Sequence, residues 1–208
     1  MKYIISYSTH HQHFIDIEVV VLAPGAQTTH VQCPAWRPGR YELGNFTKNV
    51  RGWGAFDEGG KPLQFRKLNK DLWEVETKGV RQLHIKYSYY AADLNAGSTY
   101  LDDNQLYMNP VNCCMYVPEK INEPLQVELL LPNMYRIATA MKQGKEKQEG
   151  TMFRHVLHAD NFEQLADSPF IASPTLKSNA FVMDGIEFNI WFQGECKPDL
   201  PSIINDFF

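Results

Sequence analysis

The 208-residue sequence lacks the short motifs that bring reacting groups together in the common hydrolases and nucleotide-binding enzymes. It contains no HExxH helix, no CxxC pair, no GxSxG nucleophile elbow and no glycine-rich phosphate loop. Each of these spacings places functional groups on one face of a helix or turn, and the chemistry depends on that placement. The sequence therefore predicts a supporting domain with no catalytic residue and no metal ligand of its own.

Long apolar runs and a strong excess of charge of one sign are also missing. No stretch of about 18 apolar residues is present, which predicts no transmembrane helix. Residues 1–7 (MKYIISY) begin directly as a strand and lack the apolar core and small-residue cleavage site of a signal peptide. The net charge of −4 and the pI of about 6.0 give no electrostatic reason to expect nucleic acid or an acidic membrane as a partner.

Cysteine is scarce, with Cys33, Cys113, Cys114 and Cys196 in the whole chain. Adjacent cysteines rarely bridge each other because the ring they would close is strained. The remaining spacings match no zinc or redox signature. We expect free, mostly buried thiols, which favours a reducing compartment and a cytoplasmic location.

What the sequence does contain is a succession of strand signals. Residues 15–19 (IDIEV) and 82–91 alternate between apolar and polar side chains, so one face of each strand should be buried. Many short strands with turns every eight to twelve residues or so predict an all-β fold, an antiparallel β-sandwich or saddle. The predicted strands are residues 3–7, 14–22, 46–56, 63–68, 72–77, 82–91, 127–131, 152–158, 181–183 and 186–192.

Two short helices are predicted among the strands. The first lies near residues 160–166, where Asp160 is the predicted N-cap and Glu163 follows three positions later, as in a capping box. The second covers residues 200–208, at the C-terminus. It ends on two phenylalanines with no cap, which predicts that the polypeptide continues beyond this helix.

The segment 34–41 (PAWRPGRY) combines two prolines, a tryptophan and a glycine, and cannot form a regular element. Gly39 supplies a backbone conformation that other residues adopt only at a steric cost. We expect a rigid corner whose indole, Trp36, packs one sheet layer onto the next.

Two groups of polar residues have the composition of metal or acid–base sites but are better explained as turns. On an extended chain His10 and His11 point in different directions, and no carboxylate or cysteine has ligand spacing to them or to His13. Asp102 and Asp103 are adjacent and so do not converge on one substrate. We therefore predict a solvated turn at the histidines and a loop at the aspartates.

The segment 100–116 is rich in amides and tyrosines and contains neither lysine nor glutamate. Rigid amphipathic rings with amide hydrogen-bonding groups are typical of contact surfaces. Two interpretations of this long, irregular segment stay open. It forms either an ordered loop that covers the edge of a sheet or one wall of a substrate cleft.

The chain as a whole resembles the N-terminal domain of the glycyl aminopeptidase family, zinc metallopeptidases that often carry a PDZ domain. The resemblance covers essentially the whole chain and is most specific in the Trp-Pro corner and in the Leu-x-Asp-Ser-Pro segment. The matching segments are the first strand pair and residues 34–41 (PAWRPGRY), 46–60, 73–75 (WEV), 86–91 (KYSYYA), 100–102 (YLD) and 162–169 (FEQLADSP).

The resemblance implies that this β domain precedes a thermolysin-like catalytic domain that holds HExxH and the zinc ion. Residues 1–198 then form the N-terminal β domain, and residues 199–208 begin the linker helix into the catalytic domain, which is missing here. No cofactor is expected in this chain. The expected partners are the catalytic domain of the same polypeptide and the peptide substrate, with no nucleic acid and no membrane.

The wider class of gluzincin aminopeptidases suggests which residues face the substrate. In that class, a loop of an analogous β saddle donates an amide or carboxylate side chain to the substrate's free amino group. Laying residues 116–118 (YVP) and 122–124 (NEP) against that class puts Asn109 near the anchoring position. We therefore predict that Asn109, with Tyr107 and Asn112 nearby, binds the peptide in the complete enzyme.

A stand-alone β-sandwich that binds carbohydrate or protein is the competing hypothesis. An exposed flat aromatic face would favour such a binding module, whereas a large apolar patch near the C-terminal helix would favour the peptidase domain. An independent hydrolase is not predicted, because no nucleophile–base set is apparent.

Overall fold

The computed structural model describes residues 1–37, 39–40 and 42–206. Strands dominate this part of the chain, and the predicted all-β sandwich-like fold is confirmed. The α-helices are α1 (Pro110–Cys113), α2 (Phe162–Ala166) and α3 (Leu200–Asn205). The strands are β1 (Lys2–Ser6), β2 (Phe14–Leu22), β3 (Thr28–Gln32), β4 (Val50–Phe56), β5 (Phe65–Lys67), β6 (Leu72–Glu76), β7 (Gln82–Tyr90), β8 (Tyr100–Leu101), β9 (Leu106–Met108), β10 (Leu125–Pro132), β11 (Arg136–Thr139), β12 (Lys142–Gln143), β13 (Lys147–Glu149), β14 (Met152–Ala159), β15 (Phe170–Ser173), β16 (Lys177–Met183) and β17 (Ile186–Phe192).

The main sheet runs in the order β12–β14–β10–β1–β2–β7–β4, and β13 also pairs with β14. Neighbouring strands in this sheet are antiparallel except β1 and β10, which are parallel. Successive side chains of a strand point to opposite faces, and one face of this sheet is covered. In β7 the alternation predicted from sequence is therefore realised as burial of Leu83, Ile85, Tyr87 and Tyr89.

Two smaller sheets share one hydrophobic core with the main sheet. Their strand orders are β3–β6–β5 and β11–β15–β9–β8. Val31 and Val75 of the first and Leu106 and Phe170 of the second belong to the same buried cluster as Ile17 of β2. A fourth sheet is the two-stranded hairpin β16–β17, close to the predicted strands at 181–183 and 186–192.

Helix α2 begins one residue later than the sequence predicts. Its N-cap is Asn161, whose Oδ1 accepts the backbone N–H of Gln164 at 2.8 Å. The side chain of Gln164 in turn accepts the backbone N–H of Asp160 at 2.6 Å. The predicted cap at Asp160 is wrong because Asn161 has the spacing that reaches the third residue of the helix.

The predicted C-terminal helix is present as α3. Its N-cap is Asp199, whose carboxylate accepts the backbone N–H of Ser202 at 3.2 Å. The last two positions of the predicted helix, residues 207–208, lie outside the described residues.

Two predicted segments differ from the structure. Phe46–Asn49 form a 3₁₀ helix, so the strand predicted at 46–56 begins only at Val50. The segment 100–116 is less irregular than predicted, since it contains β8, β9 and α1. Strands of two or three residues carry no readable alternation, which is why the sequence did not indicate them.

The predicted free and mostly buried thiols are confirmed. Cys33, Cys113 and Cys114 are buried, and Cys196 is exposed. Burial raises the pKa of the Cys33 thiol well above its usual range, so this thiol stays protonated at neutral pH. Within the described residues, no helix is both long enough and apolar enough to cross a membrane.

Core packing predicts a large difference between two leucine-to-alanine substitutions. Leu129 in β10 is fully buried, whereas Leu22 at the end of β2 is 66% exposed. Leu129→Ala leaves a cavity in the core, so we expect the free energy of unfolding, measured by urea denaturation, to fall by about 3 kcal/mol. Leu22→Ala is the matched control and should change it by less than about 0.5 kcal/mol. Equal losses at the two positions would contradict the placement of β10 in the core.

Candidate functional site

Three segments that are far apart in the sequence line a groove of about 1250 Å³, together with the loop at residues 96–97. The first is the corner, residues 34–37 and 39–40, and the second is the start of α1 with Tyr116 behind it. The third is α2 with the turn that follows it. The Trp-Pro corner and the Leu-x-Asp-Ser-Pro segment, both distinctive in the sequence, therefore meet at one groove.

Backbone hydrogen bonds fix the corner. The N–H groups of Gln32 and Tyr116 each donate to the other residue's carbonyl at 2.8 Å. Gly39 has a φ of +79°, which a residue with a Cβ adopts only under strain. The Arg40 N–H donates to the Arg37 carbonyl at 3.3 Å and closes the turn. Pro38 and Tyr41 of the predicted corner lie outside the described residues.

The direction of Trp36 differs from the prediction. Its side chain is 58% exposed and lines the groove, so the expectation that it packs one sheet layer onto the next is wrong. Cys33 and Pro34 are the residues buried here, and Cys33 continues the alternation of the inward positions of β3, Thr29 and Val31. Trp36 lies beyond the end of β3, where the in–out alternation of the strand no longer applies, and its side chain points outward.

An aromatic pair forms the floor of the groove. The rings of Tyr116 and Phe162 are stacked, with centroids 4.3 Å apart and planes 26° apart. The Phe162 N–H donates to the carbonyl of Ile121 at 2.9 Å, which ties the start of α2 to the segment after Tyr116. Burial raises the pKa of the Tyr116 hydroxyl, so the floor stays uncharged at neutral pH.

Two tyrosines of the main sheet support the backbone at the end of α1 and directly after it. The hydroxyl of Tyr3 donates to the carbonyl of Met115 at 2.8 Å, and that of Tyr87 donates to the carbonyl of Cys113 at 2.6 Å. The Tyr87 oxygen also accepts the N–H of Met115 at 3.1 Å. Burial raises the pKa of both hydroxyls well above the ordinary value, so they remain neutral donors.

Asn109 is the predicted substrate-binding residue that the structure places in the groove. It is the N-cap of α1, is 7% exposed and lines the groove. Its backbone N–H donates to Thr99 Oγ1 at 3.2 Å, and its carbonyl accepts the N–H of Asn112 at 3.0 Å. Its side-chain amide makes no hydrogen bond with any described residue, although N-cap side chains usually bond to the helix. The amide is therefore available to a ligand.

Asn112 faces a different cavity. It is 2% exposed and lines a neighbouring cavity of about 490 Å³, separate from the groove that contains Asn109. Its Nδ2 donates to the carbonyl of Gly97 at 2.8 Å. Its Oδ1 is buried and finds no hydrogen-bond partner among the described residues. The position of Asn112 indicates a structural link between α1 and the loop at Gly97.

Tyr107 lies outside both cavities. In β9 the side chains of Leu106 and Met108 point into the core, and Tyr107 points away from it. Its hydroxyl donates to the carbonyl of Ala96 at 2.9 Å. The structure therefore does not bring Tyr107 to Asn109, and the two predicted neighbours of Asn109 both bond to the loop at Ala96 and Gly97.

The charged residues of the groove were missed by the sequence analysis. Arg37 and Arg40 lie on the corner side, and Glu163 and Asp167 lie on the α2 side. Arg40 Nε donates to a Glu42 carboxylate oxygen at 2.5 Å. The available signal was the placement of two arginines in the corner and two carboxylates in the FEQLADSP segment, the two stretches singled out by composition.

The zinc ion implied by the resemblance finds no ligand set in the part of the chain that the structure describes. No cluster of three or more histidine, cysteine, aspartate or glutamate side chains there is arranged to hold a metal. The rings of His10 and His11 are 3.9 Å apart, so the prediction that they point in different directions is wrong. The 3₁₀ helix His10–Gln12 brings them together, but two ligands do not make a zinc site.

Comparison with known protein families assigns the chain to one of them. The sequence profile of the Peptidase M61 N-terminal domain matches residues 2–174. Because this match covers most of the sequence, the chain belongs to the Peptidase M61 N-terminal domain family. The resemblance to the N-terminal domain of a zinc metallopeptidase is thereby confirmed. No curated protein sequence matches the chain significantly.

Solved structures of similar fold are longer than this chain. An aminopeptidase N family protein from Idiomarina loihiensis superposes with a TM-score of 0.86 and 25% identity over 99% of this chain and 34% of that one. An M1 zinc metallopeptidase from Deinococcus radiodurans has a TM-score of 0.56 and 9% identity, over 97% of this chain and 49% of that one. A mutant of the M1 zinc metallopeptidase from Deinococcus radiodurans bound to a Tyr-Ser-Ala substrate has a TM-score of 0.54 and 8% identity, over 97% of this chain and 50% of that one. The chain thus spans between a third and a half of these structures.

A structural role for Asn112 predicts a pH-dependent loss of stability. Asn112→Asp removes the donor to Gly97 and buries a carboxylate, so we expect the free energy of unfolding at pH 7 to fall by about 3 kcal/mol. Burial raises the pKa of the new carboxyl, so the loss should shrink below the unfolded-state pKa of about 3.9 and grow as the pH rises through it. Urea denaturation at pH 4 and pH 7 measures both values.

The exposed Asn179 provides the matched control for this experiment. Asn179→Asp should leave the stability nearly unchanged at both pH values. A loss of stability for Asn112→Asp that is the same at both pH values would contradict the burial of this side chain.

Proposed function

We propose that this chain is the non-catalytic N-terminal domain of a zinc metallo-aminopeptidase and that its groove forms one wall of the peptide cleft. The family assignment over residues 2–174 supports this proposal, as does the similarity to the aminopeptidase N family protein. The observation that carries it is the side-chain amide of Asn109, which lies in the groove without a hydrogen bond to any described residue.

The amide of Asn109 has the chemistry to anchor a substrate. Its Oδ1 accepts hydrogen bonds, and an ammonium group, with three donors, is a suitable partner. An anchor of this kind holds the scissile bond at a fixed place and raises its effective concentration at the reacting groups. Asn109 is thus a binding residue, and this chain contributes orientation of the peptide.

The hydrolytic chemistry belongs to the catalytic domain of the same polypeptide. A zinc ion held there would supply Lewis-acid polarisation of the peptide carbonyl and a water of lowered pKa. In the proposed enzyme the described residues of this chain bind no zinc, and they shape the cleft and bind the peptide.

The proposed domain boundary lies between residues 198 and 199. On this proposal residues 1–198 form the β domain, and residues 199–208 begin the linker helix, of which α3 is the described part. None of the residues of α3 is buried, which leaves its apolar side chains Ile203 and Ile204 accessible to another domain. The cytoplasmic location stays a prediction from the sequence.

The coding sequence downstream of residue 208 tests this organisation. We expect an open reading frame that encodes HExxH, because that spacing places two zinc ligands and a general base on one face of a helix. A stop codon directly after this chain would contradict the proposal. It would favour the alternative, a stand-alone module that binds carbohydrate or protein, which no observation on the structure currently favours.

Substitution of Asn109 tests its role in binding. In the full-length protein we expect Asn109→Ala to lower kcat/KM for a peptide with a free amino terminus by about tenfold, the size of one hydrogen bond to a charged group. Asn109→Asp keeps an acceptor at the same place and should retain most of the activity. The measurement is the initial rate of amino-acid release over a range of peptide concentrations.

Asn179 serves as the matched control, since it is exposed on β16, away from the groove. Asn179→Ala should leave kcat/KM unchanged. An Asn109→Ala enzyme with unchanged kcat/KM would show that the amide does not contact the peptide.

A further inference from the structure

We propose that Arg37 is a specificity-determining residue that binds a carboxylate of the peptide in the groove. This inference rests on the proposed function, because it assigns the kind of peptide that the groove accepts. A short peptide carries such a carboxylate at its C-terminus, and a longer one carries it on an acidic side chain. The shared chemistry is a carboxylate that reaches the corner side of the groove.

Arg37 is held in place by its contact with the loop at Gly97. Its Nη1 donates to the Gly97 carbonyl at 2.9 Å, the same carbonyl that accepts from Asn112. A Cβ on Gly97 would lie 2.2 Å from Arg37 Nη2, so the guanidinium packs directly against the Gly97 backbone. Arg37 also lines both the groove and the neighbouring cavity, so it forms part of the wall between them.

Arg37 lacks the partner that every other arginine in the described chain has. Arg51 lies over the ring of Phe14, and Arg136 lies over the ring of Trp191. Among the described residues, the guanidinium of Arg37 has neither a carboxylate within ion-pair distance nor a ring beneath it, and one carbonyl bond uses one of its five N–H donors. The arginines that pair with carboxylates are Arg40, Arg66, Arg81 and Arg154.

A partly buried guanidinium with free donors favours an anion. Charge-assisted hydrogen bonds from arginine to carboxylate are often bidentate, which adds geometric selection to the charge. A ligand carboxylate at this place gains two parallel hydrogen bonds, and a neutral amide of the same size accepts only one. The site therefore distinguishes a carboxylate from its amide.

The charges around the rest of the groove complement a zwitterionic peptide. Glu163 and Asp167 lie on the α2 side, and neither forms an ion pair with any described residue. Asn109 adds a neutral acceptor. An ammonium group is attracted to this side and a carboxylate to Arg37, so the groove fits a peptide that carries both groups.

The test compares carboxylate and amide forms of the same peptides in the full-length enzyme. Ala-Ala-Ala and Ala-Ala-Ala-Ala with free or amidated C-termini examine the terminal carboxylate, and Ala-Ala-Glu-amide against Ala-Ala-Gln-amide examines a side-chain carboxylate. We expect the unmodified enzyme to prefer the carboxylate member of at least one pair by about tenfold in kcat/KM. Arg37→Gln should bring the ratio of kcat/KM for the carboxylate peptide to that for the amide peptide close to one. Arg37→Lys keeps the positive charge but loses the two parallel N–H donors of the guanidinium, so it should leave an intermediate ratio.

Arg81→Gln is the control, because Arg81 is exposed and pairs with Glu58 outside the groove. It should keep the ratio of the unmodified enzyme. A preference confined to the terminal pairs identifies the peptide C-terminus as the ligand, and one confined to the glutamate pair identifies a side chain. Ratios near one in the unmodified enzyme, or ratios unchanged by Arg37→Gln, would overturn the inference. Failure to hydrolyse any of the peptides would instead contradict the proposed function, and this inference with it.

Discussion

The hydroxyls of Tyr3 and Tyr87 hold the backbone of residues 113–115 inside the core, and the geometry of the groove depends on them. A non-strand segment that enters a core brings peptide groups that no ladder satisfies, and each unsatisfied group costs about 1–3 kcal/mol. The two phenols supply the missing partners from the main sheet. They allow α1 to be buried in a place where its N-cap residue, Asn109, borders the groove.

The position of the groove follows from that support. The Gln32–Tyr116 backbone pair attaches the corner to the segment that the tyrosines hold, and the Tyr116–Phe162 stack attaches α2 to the same segment. The corner and α2, which are distant from each other in sequence, are thus both attached to the segment that ends at Tyr116. Arg37 joins the same assembly through Gly97, whose carbonyl also binds Asn112. The proposed binding residues Asn109 and Arg37 are therefore both connected to the segment that the core holds.

Sequence alone predicted the long strands well and the groove only in part. Alternation marked β2 and β7 because one covered face imposes a period of two. It missed β3, β8, β9, β11, β12, β13 and β15, which have two to five residues, too few for a readable period. Local rules marked residues 34–41 as an irregular segment, yet they did not give the direction of Trp36, which depends on where the register of β3 ends.

The three predicted site residues lie in different environments, and these too depend on contacts that are distant in sequence. Asn109, Tyr107 and Asn112 lie within five positions of one another, but their partners come from the loop at residues 96–99. Their proximity in the sequence does not reveal that the side chains of Tyr107 and Asn112 donate hydrogen bonds to that loop. Arg37 was missed because its significance depends on the close approach to Gly97, a contact between residues sixty positions apart.

A crystal structure of the full-length protein with an uncleaved peptide bound tests the central claim most directly. The quantity to measure is the distance from Asn109 Oδ1 to the terminal nitrogen of the peptide. The account predicts a hydrogen bond of about 3 Å, with the peptide lying in the groove between the corner and α2. A groove filled by side chains of the catalytic domain, with the peptide bound elsewhere, would contradict it.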